Sequence, residues 1–213
     1  MNVKEVLKEL EGFGNESTKK VLMKHGAKEP FFGVKVADLK KIVKKIKGDQ
    51  ELALELYETG NSDAMYLAGL VADGSLITKA KLNQWAKSAY WYYLSEYTVA
   101  WVVSESENGW DLGLRWIDSK KENIASSGWS SLANIVMTRS NEELDMKALG
   151  ELLKRIEKDI HSSQNRVRYT MNGFVIAVAS YVKPLSKNAI KTAKKIYPPL
   201  YSRILFVNLL YQK

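Results

Sequence analysis

The strongest constraint on the fold is a helical spacing of apolar residues, interrupted at short intervals by glycine, asparagine, serine and aspartate. Val3, Val6, Leu7 and Leu10 occupy positions i, i+3, i+4 and i+7, which lie on one face of a helix. The same spacing returns along the 213 residues, and no convincing alternation of apolar and polar residues predicts a strand. The sequence therefore predicts an all-α protein with about twelve helices.

Polar residues at the breaks predict where the helices begin. Asn15 or Ser17, Asn61 or Ser62, and Thr78 are suited to cap three of the early helices. An aromatic-rich helix is predicted at about 89–105. The stretch VIAVASYV could form a buried strand, but its place in a longer periodic run favours a helix. The later helices are predicted at about 126–138, after an Asn141 cap, at 166–182 and at 186–197.

The helices come in pairs at spacings near 40 residues, the period of HEAT and armadillo units. We therefore expect an α-α superhelix of about five to six stacked helix pairs, with a concave face. The chain is predicted to form one such repeat domain over 1–213, in which the tail after about residue 197 is not placed. Concave faces of this kind commonly bind extended partners.

Composition argues against several classes of protein. The chain has no cysteine and only two histidines, His25 and His161, so no metal site is predicted. No phosphate-binding or dinucleotide-binding glycine motif is present, and no cofactor is expected. No apolar run approaches 18 residues, and the N-terminus lacks a continuous signal-peptide core. We expect a soluble, cytoplasmic monomer that does not enter a membrane.

The net charge of +8 is concentrated at the two ends of the chain. Residues 1–50 carry 12 bases against 7 acids, and residues 151–213 carry 12 bases against 3 acids. Residues 51–150 carry 8 bases against 14 acids. If both ends reach one ligand, that ligand is a polyanion. The alternative is that the lysines only keep the surface solvated.

The most unusual stretch of the sequence runs from Trp85 to Trp101. It holds seven aromatic residues around a single carboxylate, Glu96. Aromatic faces beside a carboxylate can hold a cation or a cationic transition state. In a regular helix Tyr92 and Glu96 share a face because they are four residues apart. The other interpretation is that the aromatic rings are core and Glu96 is solvated or paired.

Five segments, in this order, resemble the HEAT-like repeat DNA alkylation repair family, the AlkD-like DNA glycosylases. The first carries the turn Phe32-Gly33-Val34 followed by Leu39-Lys40-Lys41. The resemblance covers roughly residues 20–195 and looks closest to a divergent branch. The five segments are HGAKEPFFGVKVADLKKIVKKI, ELALELYETGNSDAMYLAGLVAD, LSEYTVAW, ENIASSGWSSLANIV and NRVRYTMNGFVIAVASYVKPL.

The resemblance implies a superhelix that binds double-stranded DNA through its phosphate backbone. It also implies hydrolysis of the N-glycosidic bond of cationic alkylated purines, with an aspartate that stabilises the developing sugar charge and tryptophans that pack on the sugar. Such a mechanism needs one well-placed carboxylate and aromatic faces, because the alkylated base is already a good leaving group.

The implied catalytic residues are substituted in this chain. The family's tryptophan is followed four residues later by aspartate, whereas Trp91 is followed by Ser95. Shifting the register by one residue pairs Tyr92 with Glu96, the candidate catalytic carboxylate. The family's Trp-x-Arg-Arg segment is replaced by Trp129-Ser130-Ser131. Phe174 or Ile176 stands near the place where the family has a later tryptophan. We therefore expect excision activity that is weak, altered or lost.

The implied DNA contacts are better preserved than the catalytic ones. Candidates for phosphate binding are Lys40, Lys41, Lys44, Arg166 and Arg168. The candidate rings facing the lesion or the sugar are Trp91, Tyr92, Trp129 and Phe174. Two other functions remain open from the sequence. One is a scaffold that binds a protein partner in its groove, and the other is single-strand or RNA binding on stacked aromatics.

Overall fold

The computed structural model describes residues 1–196, and the regular structure within that range is entirely helical. The all-α prediction is therefore confirmed. The chain divides after Asn108 into two compact units, which are described separately below. No helix in residues 1–196 is long and apolar enough to cross a membrane. The single domain expected over 1–213 stays a prediction, and the tail from residue 197 lies outside the described range.

The first unit is arranged around one helix that is buried on nearly every side. Each residue from Ser62 to Ala68 is buried, which explains why this helix has little amphipathic character. The helices of this unit are α1 (Val3–Gly12), α2 (Glu16–Lys24), α3 (Val36–Ile46), α4 (Gln50–Glu58), α5 (Ser62–Val71), α6 (Lys79–Ser88) and α7 (Val99–Glu105).

Three predicted caps are confirmed in the first unit. The Asn15 side chain accepts a hydrogen bond from the backbone N–H of Thr18, at the start of α2. The side chain of Asn61 accepts from the backbone at the start of α5, and the Thr78 hydroxyl does so at α6. These polar side chains satisfy N–H groups that have no partner inside their helix.

The predicted aromatic helix over 89–105 is wrong in its start and in its winding. Ala89 and Tyr90 lie outside any helix, and helical structure begins at Tyr92. Leu94–Thr98 then forms a π-helix, which continues directly into α7. A π-turn closes its hydrogen bonds over five residues instead of four. The prediction that Tyr92 and Glu96 share a face assumed a regular α-helix, and this assumption does not hold in the π-helical segment.

The second unit is formed around a pair of 17-residue helices that pack against each other, α9 and α11. The VIAVASYV stretch is part of α11, as the periodicity favoured. Helix α8 packs on α9, and α12 packs on α11 and α10. The helices of this unit are α8 (Gly109–Trp116), α9 (Glu122–Thr138), α10 (Met146–Asp159), α11 (Asn165–Tyr181) and α12 (Ser186–Ile196).

The predicted cap at Asn141 is wrong, and α9 begins four residues earlier than expected. Ser140 and Glu143 bond to each other's backbone and close a short 3-10 turn at Asn141–Glu143. The cap of α10 is instead Asp145, whose carboxylate accepts from the Ala148 N–H at 2.9 Å. The turn takes up the residues that the sequence interpretation had placed in the helix.

We expect Gly128→Ala to destabilise the protein by about 1–3 kcal/mol. A methyl group at Gly128 would lie 2.8 Å from the Ile117 nitrogen and 2.9 Å from the Gly113 carbonyl oxygen, so α8 and α9 would have to separate. The free energy of unfolding in urea measures the effect. The control is Gly150→Ala in α10, where no atom lies within 4 Å of the new carbon. It should stabilise by about 0.5–1 kcal/mol, and a Gly128→Ala variant as stable as this control would contradict the packing.

Candidate nucleic-acid interface

The aromatic segment, residues 91–101, forms a continuous series of ring contacts in the first unit. Trp91 stacks on Tyr93 with ring centroids 5.2 Å apart, and Tyr93 contacts Tyr97 at 5.3 Å. Tyr97 meets Trp101 edge-on at 5.7 Å. Tyr66 of α5 completes the series, since it stacks on Tyr93 at 4.8 Å and contacts Trp101 at 5.5 Å. The five centroid distances, from 4.8 to 5.7 Å, lie in the range that is favourable for aromatic pairs.

The predicted site residues in this segment are mostly buried. Trp91 is 5% exposed, and its indole N–H donates to the Ser62 hydroxyl at 3.0 Å. Tyr92 is half-buried and meets Trp91 edge-on at 5.3 Å. Ser95 and Glu96 lie in the π-helix and are 1% and 5% exposed. Within residues 1–196 the Ser95 hydroxyl has no hydrogen-bond partner.

A cavity of about 200 Å³ lies beside the aromatic segment. Its wall includes the rings of Tyr66, Trp91 and Tyr93, the side chains of Lys35 and Asp63, and apolar residues of α2 and α3. Burial raises the pKa of the Tyr66 phenol, and the neighbouring Tyr93 raises it further. The Tyr66 hydroxyl is therefore neutral at physiological pH.

Asp63 is a buried carboxylate that the sequence interpretation missed. One of its oxygens accepts from the N–H groups of Phe32 at 2.6 Å and Gly33 at 3.0 Å. The other oxygen accepts from Val34 at 3.1 Å. Gly33 has φ +76°, and a methyl group there would lie 2.7 Å from the Lys19 backbone nitrogen, so only glycine fits. The sequence signal that could have drawn attention to Asp63 is its position in the first turn of α5, two residues after the Asn61 cap.

Two opposing effects act on the Asp63 carboxyl. Burial raises the pKa of Asp63, whereas the three backbone N–H donors and the positive charge of Lys19 act to lower it. The net direction is upward. Both oxygens of the Asp63 carboxylate accept backbone hydrogen bonds from the Phe32-Gly33-Val34 turn. In this geometry the carboxylate holds the turn against α5.

The three lysines predicted on α3 are all exposed, but they differ in their partners. Lys41 forms an ion pair with Asp38 at 2.6 Å and lies 5.2 Å from the Phe13 ring centroid. Within residues 1–196, Lys40 and Lys44 form no ion pair, unlike Lys41 and Lys45 on the same helix. The fold therefore leaves Lys40 and Lys44 available for an anionic partner.

The two predicted arginines lie in the first turn of α11. The Arg166 backbone N–H donates to the Glu122 carboxylate at 2.8 Å, and its guanidinium lies 4.3 Å from the Tyr169 ring centroid. Arg168 is exposed and lies 3.4 Å from the Asn165 side-chain oxygen. Both arginines thus lie at the N-terminal end of α11, where the Glu122 carboxylate already accepts the Arg166 backbone N–H.

Comparison with known proteins identifies the family. The family model described as DNA alkylation repair enzyme matches residues 6–204. The chain belongs to this family. It is 31% identical over 194 residues to the uncharacterized protein Lin0241 of Listeria innocua and 30% identical to Lmo0209 of Listeria monocytogenes, with 88% of this chain and 83% of each relative covered.

A solved structure is also similar to the chain over most of its length. That structure is of a protein from a new family, described as related to the HEAT-like repeat DNA glycosylases and as having affinity for branched DNA structures. The two chains share 40% identity and a TM-score of 0.88, covering 92% of this chain and 83% of the other. The HEAT-like repeat fold expected from the sequence is therefore confirmed.

Two aromatic residues that the DNA alkylation repair resemblance placed against a lesion lie in the core of the second unit. Trp129 and Phe174 are both 0% exposed, with ring centroids 5.4 Å apart. Arg155 lies 5.9 Å from the Trp129 ring centroid. As placed here, neither ring presents a face to solvent. No group of acidic or histidine side chains within residues 1–196 is arranged to hold a metal ion.

Removal of the Asp63 carboxylate tests its positioning role. We expect Asp63→Ala to destabilise the protein by about 2–4 kcal/mol, because it leaves buried backbone N–H groups without a partner. Urea unfolding measures this. The control is Asp73→Ala, which removes an exposed carboxylate that caps a short turn and should destabilise by about 1 kcal/mol at most. Equal effects from the two substitutions would refute the assignment.

Proposed function

We propose that this protein binds DNA through the phosphate backbone and holds branched DNA more tightly than linear duplex. The observation that carries the proposal is its 40% identity to a protein with affinity for branched DNA structures. Exposed and unpaired basic side chains at Lys40 and Lys44, together with exposed Arg168, supply the charge that phosphate binding requires.

Excision of alkylated purines is proposed to be weak, altered or lost. Ser95 stands four residues after Trp91, where the family pattern has aspartate, and a serine hydroxyl carries no negative charge to stabilise a developing cation. Glu96 supplies a carboxylate one residue later, but it is only 5% exposed. A buried carboxylate cannot contact a sugar in a DNA strand unless the residues that cover it move.

DNA binding should be strong at low salt and should weaken steeply as salt is added. Each phosphate neutralised by a lysine or arginine contributes about −0.9 to the slope of log K against log salt. Fluorescence anisotropy with labelled duplex and branched DNA measures both affinity and slope. Absence of binding at low salt, or a slope near zero, would contradict the proposal and favour a scaffold that binds protein.

The lysines of α3 provide a matched pair of variants for this measurement. Lys40→Gln/Lys44→Gln should reduce the magnitude of the slope by up to about 1.8. Lys45→Gln is the control on the same helix, because Lys45 is already ion-paired with Glu9. It should leave the slope nearly unchanged. If both variants behave alike, α3 is not part of the DNA contact.

The proposed role of Glu96 is tested by incubation with DNA that carries a cationic alkylated purine, followed by measurement of abasic sites. Any excision by the wild-type protein should be lost in Glu96→Gln, which keeps the size of the side chain and removes its charge. A change of this kind lowers rates by roughly 100-fold or more when the carboxylate stabilises the transition state. Excision that continues unchanged in Glu96→Gln would rule out this role.

A further inference from the structure

The second unit carries an exposed aromatic ring, Tyr169, beside a cavity lined by basic and polar side chains. None of the candidate catalytic residues lines this cavity. The cavity has a volume of about 330 Å³, within the range of small-ligand sites. Buried Ile160 forms part of its wall, and the rest is polar or aromatic. The full wall consists of Ile160, His161, Asn165, Arg168 and Tyr169.

Tyr169 is unusual among the aromatic residues of the described chain. Its side chain is 57% exposed, whereas the rings of the aromatic segment are buried or half-buried. The guanidinium of Arg166 lies 4.3 Å from the Tyr169 ring centroid and outside the cavity wall. This cation–π contact holds the Tyr169 ring in one orientation before any ligand arrives.

We propose that this cavity binds one unpaired nucleotide of a branched DNA, with the base stacked on Tyr169 and the phosphate bound by Arg168 and His161. The proposal rests on the DNA binding inferred above and names the feature of branched DNA that is recognised. Stacking on an exposed ring is tolerant of base identity because every base has a π-face. Arg168 and Asn165 supply donors for the sugar and phosphate oxygens.

The geometry favours an unpaired nucleotide over a base inside a duplex. In a duplex both faces of each base are covered by neighbouring bases, so stacking on Tyr169 would first require unstacking and extrusion of the base. At a branch point some bases have already lost a neighbour or a pairing partner. The site therefore adds affinity for branched DNA and little for linear duplex.

The test compares two labelled probes by fluorescence anisotropy at the same salt concentration, a duplex with a single-stranded flap and the matched linear duplex. Tyr169→Ala should weaken binding to the flap DNA by roughly 5- to 100-fold. Binding to the linear duplex should change by less than about twofold. Tyr169→Phe keeps the ring and should bind both probes as the wild type does.

Two further variants separate stacking from charge and from general effects on α11. Tyr181→Ala removes another exposed tyrosine of the same helix, 48% exposed, and should leave both affinities unchanged. Arg168→Gln should weaken flap binding and reduce the magnitude of its salt slope by about 0.7–0.9, the effect of one lost phosphate contact.

The possible failures of this inference and of the proposed function are distinguishable. If the wild-type protein binds neither probe at low salt, DNA binding itself is refuted. If it binds both probes but Tyr169→Ala leaves flap binding intact, or weakens both probes equally, only the nucleotide site is refuted. A thermal melt of each variant checks that the fold is retained.

Discussion

The first unit depends on the hydrogen bonds that the Asp63 carboxylate accepts from three consecutive backbone N–H groups. These bonds hold the Phe32-Gly33-Val34 turn against the start of α5. The neighbouring Ser62 accepts the indole N–H of Trp91, so the same helix end also positions the aromatic segment. A buried N–H without a partner costs about 1–3 kcal/mol, which makes this one carboxylate a main determinant of the local fold.

Local signals in the sequence were enough to predict much of the helical structure. Asn15, Asn61 and Thr78 cap helices as expected because a cap is decided by residues two or three positions away. Asp63 escaped prediction since its partners lie about 30 residues earlier in the chain. The π-helix at Leu94–Thr98 escaped for a similar reason, as its winding is not encoded in apolar periodicity.

The sequence singles out the aromatic segment, but it does not show which of its side chains are buried. The aromatic segment does line a cavity in the first unit, beside Tyr66 and Asp63. Trp129 and Phe174 fill the core of the second unit, whereas Tyr169, which the sequence pattern does not single out, is exposed. Burial depends on tertiary packing, which residue type alone does not determine.

The central proposal is that the protein binds DNA and holds branched structures more tightly than linear duplex. Competition binding tests it most directly, with a labelled four-way junction displaced by unlabelled linear duplex of the same base sequence, with and without an alkylated purine. The account predicts that the junction binds at least about tenfold more tightly, a difference of 1.4 kcal/mol, and that the lesion has no effect. Equal affinity for junction and unmodified duplex, or clear preference for the alkylated duplex, would contradict the account.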